Sequence, residues 1–186
     1  MRTRLALAPL LVSGTCATPA LAAPSHQASG NEVGPPHTTT AYDPTKGCTG
    51  DGPVAAQGWC DYYDGPASGK AGQPVELAAV VCRLPGQDTH TLQVDSGEQA
   101  DFSISTQDRN DALWTWSDGH RFSRYGTTFD VAAGSCLRWH VTWKVTDRAG
   151  RPLAPGLYHL MARPYAYQPG SIQIQAFLNV ISFTVT

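Results

Sequence analysis

Between Cys136 and Val145 the chain reads CLRWHVTWKV, and every second residue is apolar. Leu137, Trp139, Val141, Trp143 and Val145 hold one face while Arg138, His140, Thr142 and Lys144 hold the other, which is the period of a half-buried strand. Shorter alternations recur upstream. Leu92 and Val94 in THTLQVD, and Phe102 and Ile104 in DFSISTQ, mark two further strands. QPVELAAVVCRL is a nearly continuous apolar run without helical punctuation and predicts another. Leu113 to Trp116, TTFDV, LYHLMAR and VISFTVT complete the set, separated by PGQD, SGEQ, DRND, SDG, Ala133-Gly134, DRAG and APG. Seven or eight short strands at these intervals predict an all-β fold, an antiparallel sandwich of immunoglobulin type over about residues 72–186.

Trp114 and Trp116 stand two apart, so in a strand they share a face. A flat tryptophan pair can stack on a sugar, or it can wall a core. Trp139 and Trp143 share a face of another strand, and Phe102 and Ile104 do so on a third. Strands that each carry one apolar face need one another to bury it. Phe102, Trp114, Trp116, Trp139 and Trp143 are therefore assigned to the core.

Composition agrees with a globular domain: of 186 residues, 41% are hydrophobic and 15% charged. The N-terminus changes the picture. Arg2 and Arg4, the apolar run from Leu5 to Val12 and the small residues of Ala20-Leu21-Ala22 form a secretory signal, with cleavage expected near Ala22 or Ala23. Cys16 lacks the large apolar residue that a lipid-attachment signal carries three positions earlier. Residues 1–22 are thus read as a signal peptide, 23–52 as a flexible Pro/Gly/Ser/Thr-rich linker, 53–71 as a disulfide-tethered arm and 72–186 as the sandwich. Loss of the leader leaves eleven basic against fifteen acidic side chains, a poor match for nucleic acid. No later apolar run reaches the roughly 18 residues needed to span a bilayer. The expected location is outside the cell.

Cys48, Cys60, Cys82 and Cys136 remain after cleavage, an even number in an exported chain. Four cysteines allow three connectivities. A Cys48–Cys60 bridge would close a loop of about thirteen residues and contribute on the order of 3 kcal/mol. In a sandwich of this type the strand ending near Cys82 lies antiparallel beside the strand starting at Cys136, which suggests the second pair. Because Cys136 is in phase with the polar face, that bridge is expected between neighbouring strands of one sheet.

The sequence contains no G-x-S-x-G, no H-E-x-x-H and no phosphate-cradling glycine loop. His120, His140 and His159 are scattered over a turn and two strands, where Asp101 or Asp130 would meet one of them only through folding. No C-x-x-C is present, and no histidine stands at zinc-ligand distance from a cysteine pair. The chain is read as a non-enzyme with neither cofactor nor metal.

An ordered set of short motifs then carries a resemblance. SGEQADF from Ser96, LWTWS, Phe122, AAGSCLRWHVTWKVTDRAG and LAPGLYHL resemble, in order and spacing, the intracellular proteinase inhibitor (BsuPI-like) family over about residues 72–186. That family's pattern is a Ser-Gly-Gln turn leading to Tyr-Asp-Phe, a Trp-x-Trp-Ser strand, a Pro-Gly-Glu-Ser turn, a Trp-containing strand, an Asp-x-x-Gly turn and Pro-Gly-x-Tyr. Glu98, Ala100 and Ala133 depart from it where the family has Gln, Tyr and Pro. The export signal also departs from the family's intracellular name. The resemblance implies a small β-sandwich that inhibits a serine proteinase, here a secreted one; the matched residues are turn glycines and core aromatics, which specify a fold and not a contact.

An inhibitor of this kind needs a rigid scaffold and one extended loop that enters a proteinase cleft. Two loops offer the Arg, Tyr and Phe side chains that dominate interfaces: 117–127, with Arg121, Phe122, Arg124 and Tyr125, and 163–171, with Arg163, Tyr165 and Tyr167. Arg121, Arg124, Tyr125, Tyr165 and Tyr167 are the candidate partner contacts. The alternative is a non-catalytic extracellular module that binds protein or carbohydrate.

Overall fold

The alternating segment at 135–145 becomes an inner strand of one of two packed sheets. The computed structural model describes residues 34–48, 57–107, 111–169 and 179–186. The signal peptide expected at 1–22 lies outside the described residues. Eleven strands are described: β1 (His37–Ala41), β2 (Trp59–Tyr63), β3 (Ser68–Gly69), β4 (Val75–Arg83), β5 (His90–Val94), β6 (Ala100–Thr106), β7 (Ala112–Thr115), β8 (Thr127–Val131), β9 (Ser135–Trp143), β10 (Gly156–Pro164) and β11 (Asn179–Val185). A four-stranded sheet runs β1-β9-β4-β2 and a five-stranded sheet runs β3-β11-β10-β6-β7, while β5 and β8 pair by themselves. The fold is all-β, and the ladders are antiparallel except where β3 joins β11.

Packing follows the period-two pattern. Leu77 and Ala79 of β4 and Val141 and Trp143 of β9 meet Phe102, Ile104, Tyr158, Leu160 and Phe183 from the other sheet in one core. A second cluster gathers Trp59, Val81, Leu92, Val94, Leu137 and Trp139. Trp139 donates its indole N–H to Gln99 at 3.1 Å, which satisfies both polar groups in the interior.

Several readings change. Residues 37–41, read as linker, form β1, and the arm at 53–71 supplies β2 and β3, so the sandwich holds more than eight strands. β1 is HTTTA with every residue exposed, so it has no apolar period to read; it joins β9 through the backbone ladder. Trp59, in the segment read as a disulfide-tethered arm, is fully buried. β9 ends at Trp143 because Val145 takes a left-handed φ of 52°, yet its side chain still enters the core.

Trp114 and Trp116 differ from full core residues. Both are half-buried, because β7 is an edge strand. Trp114 stacks on Trp143 with ring centroids 5.3 Å apart. Trp116 lies just past the end of β7 and stacks on His120 at 4.4 Å. Phe102, Trp139 and Trp143 are buried.

The four cysteines form two disulfides, Cys48–Cys60 and Cys82–Cys136. The second joins adjacent strands of one sheet, β4 and β9, on the face turned away from the sandwich core. Tyr42 and Leu84 pack over that face, so the bridge is buried although it follows the polar phase of β9.

Candidate functional site

The loop between β7 and β8 is held from below by a carboxylate. Asp101 stands on β6 and pairs across the ladder with Arg163 of β10. Its carboxylate accepts the Ser117 N–H at 3.0 Å and the Ser117 hydroxyl at 2.8 Å, and also the Phe102 N–H at 2.8 Å. Backbone bonds from Asp118 to Thr115 and from His120 to Ser117 shape the turn that follows, and Gly119 takes the positive φ of 83° that it needs. Trp116, His120 and Phe122 then stack against one another, so Phe122 is half-buried.

The return arm is fixed as firmly. Ser123 gives its carbonyl to the Gly97 N–H at 2.8 Å, and its hydroxyl accepts from the Tyr125 N–H at 3.0 Å. Gly126 presses on β5: a Cβ there would stand within 2.4 Å of the Val94 carbonyl oxygen. Between these anchors Arg124 and Tyr125 protrude, and Tyr125 is 82% exposed. Arg121 is exposed on the same loop.

The second candidate loop reaches the same end of the sandwich but turns inward. Tyr165 donates its N–H to Gln99 and packs against the core cluster around Trp139, with Arg163 over its ring at 5.4 Å. Burial pushes its hydroxyl up to about 12, assisted by the charges of Glu98 and Asp101. Tyr167 exchanges backbone bonds with Gln93 and donates its hydroxyl to Asp95 at 2.5 Å. Tyr165 and Tyr167 therefore brace the 95–99 turn, and that turn in turn holds the first loop through Gly97. Of the five candidate contacts, Arg121, Arg124 and Tyr125 face outward, whereas the two tyrosines of the second loop are engaged with the framework.

The loop base is electrically mixed. Burial raises the Glu98 carboxyl above its ordinary value, the nearby Asp101 charge adds to this, and Ser117 and Arg163 oppose it. Asp101, Ser103, Thr115, Met161, Arg163 and Tyr165 also line a groove of about 170 Å³ beside the loop. Nothing local in the sequence marks Asp101 as an anchor, because its partner Ser117 lies sixteen residues away on another element. Among the described residues no group of three His, Cys, Asp or Glu side chains is placed to hold a metal ion, and no helix is long and apolar enough to cross a membrane.

Solved structures with related shapes include the CARDB domain of a Pyrococcus furiosus protein in complex with di-metal ions, at 12% identity and a TM-score of 0.40 over 79% of this chain and 100% of that one. A β-glucosidase from Listeria innocua overlaps at 9% identity and a TM-score of 0.34, over 68% of this chain and 16% of that one. The search of curated proteins returns no match. The sequence profile described as BsuPI, intracellular proteinase inhibitor, matches residues 70–166, a span that runs from before β4 through the loop at 117–127 to Ala166. With just over half of its 186 residues inside that match, the chain belongs to the intracellular proteinase inhibitor family.

Proposed function

We propose that this protein is a non-catalytic inhibitor of a secreted serine proteinase and that it inserts the loop at 117–127 into the enzyme's cleft. The observation that carries this reading is Tyr125, 82% exposed at the apex of a loop whose two arms are tied down by Asp101, Gly97 and the close approach of Gly126 to Val94. A large apolar side chain held out from a fixed backbone loses little conformational freedom on binding, so its contact energy appears as affinity. Arg124 beside it adds a cation with several hydrogen-bond donors.

Export is part of the proposal. The basic start, the apolar run and the Ala-Leu-Ala site of residues 1–22 support it, as do two disulfides, which persist in oxidising compartments. Cleavage near Ala22 would leave β1 and all later strands in the mature chain. Titrating a panel of secreted serine proteinases with the purified protein tests the reading. The expected result is one-to-one inhibition of at least one of them; absence of inhibition across the panel, with the protein folded, rejects it.

A further inference from the structure

Cys136, Cys82 and Cys60 form one row across three adjacent strands. The register sets Cys82 opposite Cys136 on one side and opposite Cys60 on the other. Residues directly opposite each other in a ladder point to the same face, and all three cysteines belong to one buried cluster. Backbone bonds distinguish the two pairs. Leu84 N–H donates to Gly58 and Ala78 C=O accepts from Asp64, so the even-numbered residues of β4 turn their peptide groups toward β2; Arg83 C=O instead accepts from Gly134, beside β9. Cys60 and Cys82 are thus a hydrogen-bonded pair, for which the Cα separation is about 5.5 Å, a span typical of disulfides. Cys82 and Cys136 are the closer pair, with Cα atoms 3.9 Å apart.

The fourth cysteine opens this row to solvent. Cys48 is exposed and bonded to Cys60, while Cys60, Cys82 and Cys136 are buried. We propose that the four sulfurs form a thiol-exchange site that accepts an external thiol at Cys48 and relays the exchange inward to Cys136. An external thiolate attacks the sulfur of Cys48, the exposed residue of the pair; a new bond forms between them, the Cys48–Cys60 bond breaks, and Cys60 leaves as thiolate. Cys60 then faces Cys82 with Cys136 beyond it. Cys60, Cys82 and Cys136 stand in that order across β2, β4 and β9, so the attacking and leaving residues flank the central one, the order that in-line displacement at sulfur requires. The Cys60–Cys82 bond forms, the Cys82–Cys136 bond breaks, and Cys136 takes up the proton that the external thiol lost. The chain still holds one internal disulfide and now one mixed disulfide, so no net oxidation or reduction occurs.

An apolar setting disfavours a thiolate at Cys60 and at Cys136 alike, so the charge does not persist at either sulfur and protonation of Cys136 ends the exchange. The result is a protein whose attachment of the 34–48 segment responds to thiols outside it: the bond that ties Cys48 to β2 is replaced by one between β2 and β4, and the ladder between β1 and β9 remains.

The test is a pulse of reduced glutathione on the folded full chain carrying Cys16→Ser, followed by acid quench, alkylation and non-reducing peptide mapping. The expected products are glutathione on Cys48, a Cys60–Cys82 bridge and the alkyl label on Cys136, with the two modifications appearing in equal amounts. A Cys48 adduct with the label on Cys60 and the Cys82–Cys136 bridge intact overturns the relay; so does the absence of any adduct at Cys48. In a second variant with Cys60→Ser added, Cys136 should stay unlabelled. Label at Cys136 in that variant would mean direct attack on the inner bridge and would also overturn the proposal. Should the second variant not fold, the mapping of the first decides alone.

Discussion

Ser117 donates both its backbone N–H and its hydroxyl to the carboxylate of Asp101, so one side chain on β6 fixes the start of the loop that carries Tyr125. Hydrogen bonds to a charged group contribute about 1.5–3 kcal/mol each. Asp101→Ala should lower stability by about 2 kcal/mol in urea unfolding, and should weaken proteinase inhibition by roughly tenfold as the loop loses its fixed geometry. If inhibition is unchanged while stability falls, the anchor serves the fold and not the contact.

The contact itself is tested at the apex. Replacing Arg124 and Tyr125 together by alanine should weaken inhibition by at least about 2 kcal/mol, the scale of a binding hot spot, and leave the melting temperature nearly unchanged. Both side chains are exposed, so no core packing is lost. An inhibition constant equal to that of the parent would exclude this loop.

Two tryptophans should behave differently on truncation. Trp143 is buried among Trp114, Phe183 and the strands of both sheets, and Trp143→Ala should cost roughly 3–5 kcal/mol in denaturant unfolding. Trp116 keeps part of its surface in water, and Trp116→Ala should cost about 1–2 kcal/mol, in proportion to the smaller area removed from solvent. Equal losses at the two sites would contradict the half-buried position of Trp116.

Acid should loosen the outer face of the four-stranded sheet. Burial raises the Asp64 carboxyl, but hydrogen bonds from Lys46 at 2.9 Å and Arg138 at 3.2 Å outweigh it and hold the group below its ordinary value of 3.8. A carboxyl lowered in the folded state stabilises above its unfolded value, and that contribution is lost as pH falls from about 3.8 through the folded value. Asp64→Asn should therefore be less stable than the parent near neutrality, by about 1 kcal/mol or less because the pair is partly exposed. The gap should close in acid. A gap that stays constant with pH would show that packing, not charge, accounts for it.

The same contrast between local and distant information runs through the fold. Alternation along β9 and β6 identified Trp139, Trp143 and Phe102 as core because the pleat turns sequence parity directly into sheet face. β1 is not legible in the sequence because five exposed residues carry no parity, and only pairing with the edge of β9 recruits them. The burial of Trp59 is not legible in the sequence for a related reason: it depends on β2 joining β4, a pairing with a strand that begins sixteen residues later.

At the candidate site the sequence by itself determined the residue types: a loop of basic and aromatic side chains between two strands, and a second loop rich in tyrosine. Tertiary structure decided which of them point outward. Tyr125 and Tyr167 look alike in sequence, yet Tyr125 protrudes between the anchors at Ser123 and Gly126 while Tyr167 lies in a bridge to Gln93 with Asp95 within reach of its hydroxyl. The cysteines divide in the same way. Their number and export context are properties of the chain, but the row that places Cys60, Cys82 and Cys136 side by side exists only once β2, β4 and β9 are in register. Register is set when distant N–H and C=O groups and apolar faces are satisfied together, and no single segment contains that information.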